Sequence, residues 1–321
     1  MKLSISLIKG NIHLNLSTRN SIGNVIDKIA LIFGHTNCTS TRSVIFQIFF
    51  KFSDHIRRTL SMSVSSKLLY ELNPPKLLTQ DFFSITELET QMKTFVGRAS
   101  ILVRLVSGLH ITDSVLGIPR VSSVTAASTL KNAGIKLDLS CSLRISDRNL
   151  IAVLQFLSEA IRTNVEGILI LKGDAPFSGP SFYKPAATEI LKIVSFYGID
   201  DHIKLYLSFP NKIVKSSSLE TKLNIKPYGL VTQSISSLTD LGQIIDLAKP
   251  NGIHVIPCIM CPSDKNKSSA SKIGLDWSEY VKDPVQFVAE AAKMSEKVIM
   301  SSPNSFDDGV KLLNSLNQIN L

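Results

Sequence analysis

The chain has 321 residues, 44% of them apolar and 19% charged. That length holds one large α/β barrel or two ordinary domains with a substantial core, and no apolar run reaches the roughly 18–20 residues that a membrane helix needs. The net charge of +9 is uneven: residues 1–61 carry eight Lys or Arg against two Asp, leaving +3 for the rest, and a near-neutral body argues against a nucleic-acid partner.

Residues 1–61 are basic, poor in acids and rich in Ser, Thr and Asn, without clear helical or strand periodicity. They read as a basic extension, disordered or preceding a true start at Met62, with a cleaved organelle presequence as the other reading of that composition. The body is then residues 62–321. Its four cysteines (counting Cys38 upstream, with Cys141, Cys258 and Cys261) do not make a secreted disulfide framework in so long a chain, and a reducing cytoplasm fits them better. Cys258 and Cys261 form a CxxC, but with no second pair and no nearby His it is read as barrel packing, and no metal is assigned. On a strand the two side chains would face opposite ways.

From Met62 onward strand-like runs alternate with helix-like ones. Lys67–Leu72 is the first strand, and Pro74-Pro75 stops it. The strands that follow are Leu109–Val115, Lys136–Ile145, Gly167–Gly173, Ile203–Pro210, Gly229–Ile235, His254–Met260 and Lys297–Pro303. Between them lie amphipathic segments. Ser84–Val106 carries a Leu/Val/Phe stripe, and Arg120–Asn132 follows Pro119. Asp147–Thr163 has Asp147 as its expected N-cap and Leu150, Val153, Leu154, Leu157 and Ile161 at helical spacing. Pro185–Tyr197 ends at Gly198, and Ser237–Lys249, Asp283–Ser295 and Phe306–Leu316 follow. The region after Ile213 is the least regular.

Eight alternations over about 255 residues predict a (β/α)8, or TIM, barrel. A doubly wound open sheet is the other arrangement, but no GxGxxG follows the first strand and no Walker-type phosphate loop is present. A barrel of this kind builds its site where strands end. Those positions hold Glu71, Thr112-Asp113-Ser114, Arg144, Lys172-Gly173-Asp174, Phe209-Pro210-Asn211, Thr232-Gln233, Cys261 and Ser301-Ser302. His110 and His254 fall inside strands and read as core or barrel-lining residues.

Four segments in order resemble the methylenetetrahydrofolate reductase family. They are Tyr70-Glu71-Leu72-Asn73-Pro74-Pro75, Asp147-Arg148-Asn149-Leu150-Ile151-Ala152, Leu169-Ile170-Leu171-Lys172-Gly173-Asp174-Ala175-Pro176, and Thr232-Gln233. The match spans about Lys67 to Ser302, and Ile111-Thr112-Asp113-Ser114 looks more like the archaeal-type members. The resemblance implies a catalytic barrel that reduces 5,10-methylenetetrahydrofolate to 5-methyltetrahydrofolate through bound FAD, with NADH or NADPH as electron donor. It implies a folate substrate and a nicotinamide dinucleotide as partners, a cytoplasmic enzyme without nucleic acid or membrane, and leaves a homo-oligomer open.

The resemblance also suggests roles. Opening the methylene bridge requires a proton on the departing nitrogen, and Glu71 is the general acid, with a pKa raised by burial. Asp174 is read as catalytic and as a grip on the pterin's amino-pyrimidine edge, with a helix N-cap as its plain structural role. Gln233 offers a donor and an acceptor to the same substrate. The cofactor is assigned to Thr112, Asp113, Ser142, Lys172, Gly173, Asp174 and Tyr183. Arg148 and Asn149 are read as scaffold, with Arg148 meeting a phosphate or a strand-end acid. Two departures stand out: Ser142 occupies the place of a flavin-contacting His of the enterobacterial type, and Ser208-Phe209-Pro210-Asn211-Lys212 replaces its Y-P-E-x-H run. They keep open a folate or one-carbon binding protein of the same fold that lacks flavin and catalysis. An unrelated barrel lyase would want a Schiff-base lysine, for which Lys172 is the one strand-end lysine in place.

Overall fold

The computed structural model describes residues 2–8, 11–17, 64–78, 82–176, 186–213 and 217–319. The chain divides into two units, Met1–Leu60 and Ser61–Leu321. The first holds an antiparallel hairpin of β1 (Lys2–Ile8) and β2 (Asn11–Ser17), with Lys2 opposite Ser17 and Ile8 opposite Asn11. Strand periodicity was not expected there, yet Leu3, Ile5, Leu7 and Ile12, Leu14, Leu16 alternate with polar residues, which is the period of a pleated strand.

The second unit is a closed barrel of eight parallel strands. In chain order these are β3 (Leu68–Leu72), β4 (Gly108–Ile111), β5 (Asp138–Arg144), β6 (Gly167–Leu171), β7 (Lys204–Phe209), β8 (Gly229–Ser234), β9 (His254–Met260) and β10 (Val298–Ser301), with β10 closing on β3. The (β/α)8 expectation is therefore met, with most strands trimmed by a residue or more. Around them run α1 (Ile85–Leu102), α2 (Ser123–Asn132), α3 (Leu150–Arg162), α4 (Ala187–Phe196), α5 (Ser217–Asn224), α6 (Leu238–Ala248), α7 (Lys267–Lys272), α8 (Pro284–Met294) and α9 (Phe306–Leu316). The irregular region after Ile213 contains α5, and α7 was not foreseen; it is a short Ser/Lys-rich helix with no apolar stripe to announce it.

Local chemistry sets the helix starts. Ser84, Asn149, Ser237, Asp283 and Ser305 each accept a hydrogen bond from the backbone N–H three residues on. Asn149 thus replaces Asp147 as the cap of α3. Asp147 is instead held by the Arg144 guanidinium, which keeps it in the loop before the helix. Helix α3 turns Val153, Phe156, Leu157 and Ala160 onto the barrel, and each large apolar side chain there contributes about 1.5–3 kcal/mol by burial.

Strand alternation sorts side chains between two cores. Leu68, Tyr70 and Leu72 pack outward under the helices, whereas Leu69 joins Leu169, Tyr206, Val231, Ile256 and Ile299 inside the barrel. Cys258 lies in the inner cluster and Cys261 in the outer one, the opposite facing that a strand dictates. Among the described residues no group of three or more His, Cys, Asp or Glu could hold a metal ion, and no helix is long and apolar enough to cross a membrane.

The amino-terminal ends of the strands carry a charged network. Glu166, before β6, accepts from Lys204 at 2.8 Å and from Lys297 at 2.8 Å, and Lys297 also reaches Asp138 at 3.3 Å. Burial opposes the charge on Glu166, but the two lysines outweigh it and hold its carboxyl below the ordinary range. A depressed acid adds stability above its unfolded pKa and loses it as pH falls through the folded one. Glu166→Gln should therefore cost about 1 kcal/mol at pH 7, and urea melts of variant and wild type should converge below about pH 4. His254 belongs to this rim rather than to the core: it pairs with Glu296 at 2.7 Å and stacks on Tyr228.

Candidate functional site

The first strand delivers Glu71 as expected. Leu69 points inward, so Glu71, two residues on, does too, and the chain then leaves the sheet through Asn73-Pro74-Pro75. The carbonyls of Pro74 and Pro75 are taken by Arg120 Nη1 at 2.7 Å and by Val121 N–H at 3.0 Å, which fixes the exit. Glu71 is half-buried, and Ser301 Oγ, at the end of β10, donates to its Oε1 at 2.8 Å. Burial raises the Glu71 pKa, and the Ser301 hydroxyl only partly offsets it. Cys258 of β9 lies close enough to feel the Glu71 charge; its thiol is pushed up by burial first and by Glu71 second.

Next along the barrel mouth is Gln233. It is exposed between buried Thr232 and Ser234. Asn211, at the end of β7, donates through Nδ2 to the Ser234 carbonyl at 3.2 Å. Glu71, Ser301, Cys258 and Gln233 therefore occupy four consecutive strands, β3, β10, β9 and β8.

The other arc, β4 to β6, holds most of the residues assigned to a cofactor. Asp113 is buried; its Oδ2 accepts the Arg144 backbone N–H and the Arg148 guanidinium, both at 3.0 Å. Arg148 thus meets a strand-end acid and also stacks over Phe156. Thr112 is buried and donates to Asn73 Oδ1 at 2.7 Å. Ser142 is buried, and its hydroxyl lies 2.9 Å from His110 Nε2, while His110 Nδ1 lies 3.0 Å from Ser140 Oγ. Burial lowers the His110 pKa to about 4, so it lines the barrel as a neutral imidazole. Asp113 and Ser142 are thereby committed to the barrel wall.

Lys172, Gly173 and Asp174 stand at the mouth. Lys172 and Asp174 are exposed. Gly173 has φ +85°, and a Cβ there would strike the Arg144 side chain, so glycine is required twice over. Asp174 does not cap α4, whose N-cap is Ala186. Its Oδ2 accepts the Leu116 N–H at 2.8 Å, and its carbonyl accepts from Arg144 Nη2. Leu116 itself is 55% exposed with φ 58° and ψ 24°, a conformation leucine adopts at a cost of about 1–2 kcal/mol. Leu116→Gly should relieve that and raise stability by about 0.5 kcal/mol after the added freedom of the unfolded chain, seen as a higher melting temperature. Tyr183 lies outside the described residues.

Glu71 and Asp174 thus share the carboxy-terminal face of one barrel, three strands apart around the ring, without touching. A small cavity inside the barrel sits at the opposite, amino-terminal end and is lined by none of the predicted site residues.

No protein-family model matches the chain, and no curated protein matches it. Solved structures do. A deoxyribose phosphate aldolase from Aeropyrum pernix is 12% identical, with 78% of this chain and 90% of that one covered at a TM-score of 0.47. A chain of the tryptophan synthase complex from Pyrococcus furiosus is 11% identical (80% and 97% covered, TM-score 0.46). Dihydropteroate synthase from Anaplasma phagocytophilum is 10% identical (79% and 99% covered, TM-score 0.42). Likeness at this level carries no argument about activity.

The residues needed for a flavin can be tested against this arrangement. Arg144 Nη1 is buried beside Gly173 with no hydrogen-bond partner among the described residues. With exposed Lys172 next to it, the end of β6 offers cationic donors and a backbone without a side chain, which suits an anionic, planar group. The fit is to Lys172, Gly173 and Arg144, not to Asp113 or Ser142.

Proposed function

We propose that the barrel reduces 5,10-methylenetetrahydrofolate to 5-methyltetrahydrofolate with FAD bound and NADH or NADPH as donor. The observation that carries this reading is Glu71: a half-buried carboxyl at the end of the first barrel strand, with a raised pKa and a serine hydroxyl as partner. Such a group holds a proton at a pH where an ordinary glutamate has lost it.

Glu71 gives that proton to the bridging nitrogen as its bond to the methylene carbon breaks, leaving an iminium that accepts hydride. FAD, held there, would supply hydride chemistry with the nicotinamide as electron source. Ser301 orients the Glu71 carboxylate once the proton has gone. Gln233 and the Asp174 carboxylate hold the pterin edge. Lys172, Gly173 and Arg144 hold the cofactor.

The second reading, a folate-binding barrel without flavin, draws on the commitment of Asp113 and Ser142 to the wall. Colour separates the two. A yellow protein that bleaches with NADH or NADPH and recovers with methylenetetrahydrofolate supports the reductase. A colourless protein that binds folate without turnover supports the second reading.

A further inference from the structure

Strand β9 contains a proline in mid-strand, Pro257, and the partner strand answers it. The β8–β9 register runs Gly229 to His254, Leu230 to Val255 and Val231 to Ile256, and then jumps to Ser234 opposite Cys258. Three steps along β8 match two along β9, so Thr232 and Gln233 together face Pro257. Proline has no N–H to give the ladder, and within sheets it is confined to edges and bulges. This strand has a neighbour on each side, which leaves the bulge.

The Cys258 N–H, deep between the strands, donates to Thr232 Oγ1 at 3.1 Å. Thr232 is 4% exposed, so its hydroxyl accepts this N–H where water does not reach. The ladder resumes with Ile235 N–H on the Cys258 carbonyl at 2.9 Å. Strict alternation along β8 would send Val231 and Gln233 to the same inward side. Val231 is buried in the inner cluster, whereas Gln233 is exposed.

We propose that Pro257 and Thr232 build a bulge whose purpose is to present the Gln233 amide to a heterocycle edge bearing both a donor and an acceptor, with Thr232 as the positioning residue. The proposal rests on the folate reading above and adds the device that delivers Gln233. Thr232 touches no ligand; its hydroxyl holds the backbone in the bulged path.

The test is the affinity of the full-length protein for tetrahydrofolate, measured by titration on the wild type, Gln233→Ala, Thr232→Val, Thr232→Ser and the double variant Thr232→Val/Gln233→Ala. Valine keeps the shape and removes the acceptor; serine keeps the acceptor. Gln233→Ala and Thr232→Val should each weaken binding about tenfold, and Thr232→Ser should restore it. In the double variant the valine should add nothing beyond Gln233→Ala, because it acts through that side chain. Amide exchange at Cys258 should accelerate with valine and not with serine. Pro257→Ala, which returns a donor to β9, reaches the same bulge from the other strand and serves if the valine variant does not fold. Wild-type affinity in Thr232→Val or Pro257→Ala overturns the proposal, and so do valine and alanine effects that simply add. A wild type that binds no tetrahydrofolate removes the folate reading and this proposal together, which is a different result from variants that bind as the wild type does.

Discussion

Glu71→Gln should leave FAD reduction by NADH or NADPH at its wild-type rate and slow hydride transfer to methylenetetrahydrofolate by about 10²–10⁴-fold. Glutamine keeps the size and still accepts from Ser301, so the mouth is preserved and the transferable proton is not. Stopped-flow spectra of the flavin in each half-reaction separate the two steps. Survival of both would show that the acid is another group. Stability provides a second reading of the same residue. With its pKa raised in the fold, Glu71 binds a proton more tightly folded than unfolded. Wild-type stability then falls as pH rises from the ordinary glutamate range through the folded pKa. The glutamine variant cannot ionise and escapes that loss, so it should melt higher than wild type at alkaline pH, with the gap closing towards pH 4.

Asp113→Ala should cost about 3 kcal/mol of stability. Its carboxylate satisfies a buried backbone N–H of Arg144 and one arm of Arg148, and alanine leaves both without it. Urea denaturation measures the loss directly. A residue that served mainly to bind cofactor would behave in the opposite way, with affinity lost and the melting curve unmoved. The same comparison applied to Lys172, which is exposed, should show that opposite pattern.

The architecture was legible because each strand is a short apolar run ended by a polar or proline-rich segment, and that rhythm survives inaccurate boundaries. Leu109–Val115 was too long by four residues at its carboxyl end because Thr112 to Val115 look extended, whereas Ser114 and Leu116 adopt left-handed backbone and turn the chain. Glu71 was legible through its prolines. The arginine partner of Asp113 was not legible, because a strand-end acid looks the same in sequence whether it faces a ligand or an arginine, and Arg148 lies one helix start away. The bulge was overlooked, although Pro257 inside an apolar strand announces it. Ser301 is legible as a strand-end residue and His110 as a barrel-lining one, but their partners, Glu71 and Ser142, lie 230 and 32 residues away along the chain and have no local signal.

The lysine at the foot of the last strand reaches across the base of the cylinder. Lys297 precedes β10, and its partners Asp138 and Glu166 stand at the feet of β5 and β6, on the far side of the ring. Neighbouring staves are stitched by backbone, but this grip runs along a diameter and ties the first half of the sequence to the second. Cut between α4 and β7, the first half would keep Asp138 and Glu166 without their lysines, and the second Lys204 and Lys297 without their acids. A four-stave fragment is therefore an incomplete object, and the mouth above can be rebuilt by mutation while the base keeps the circle closed.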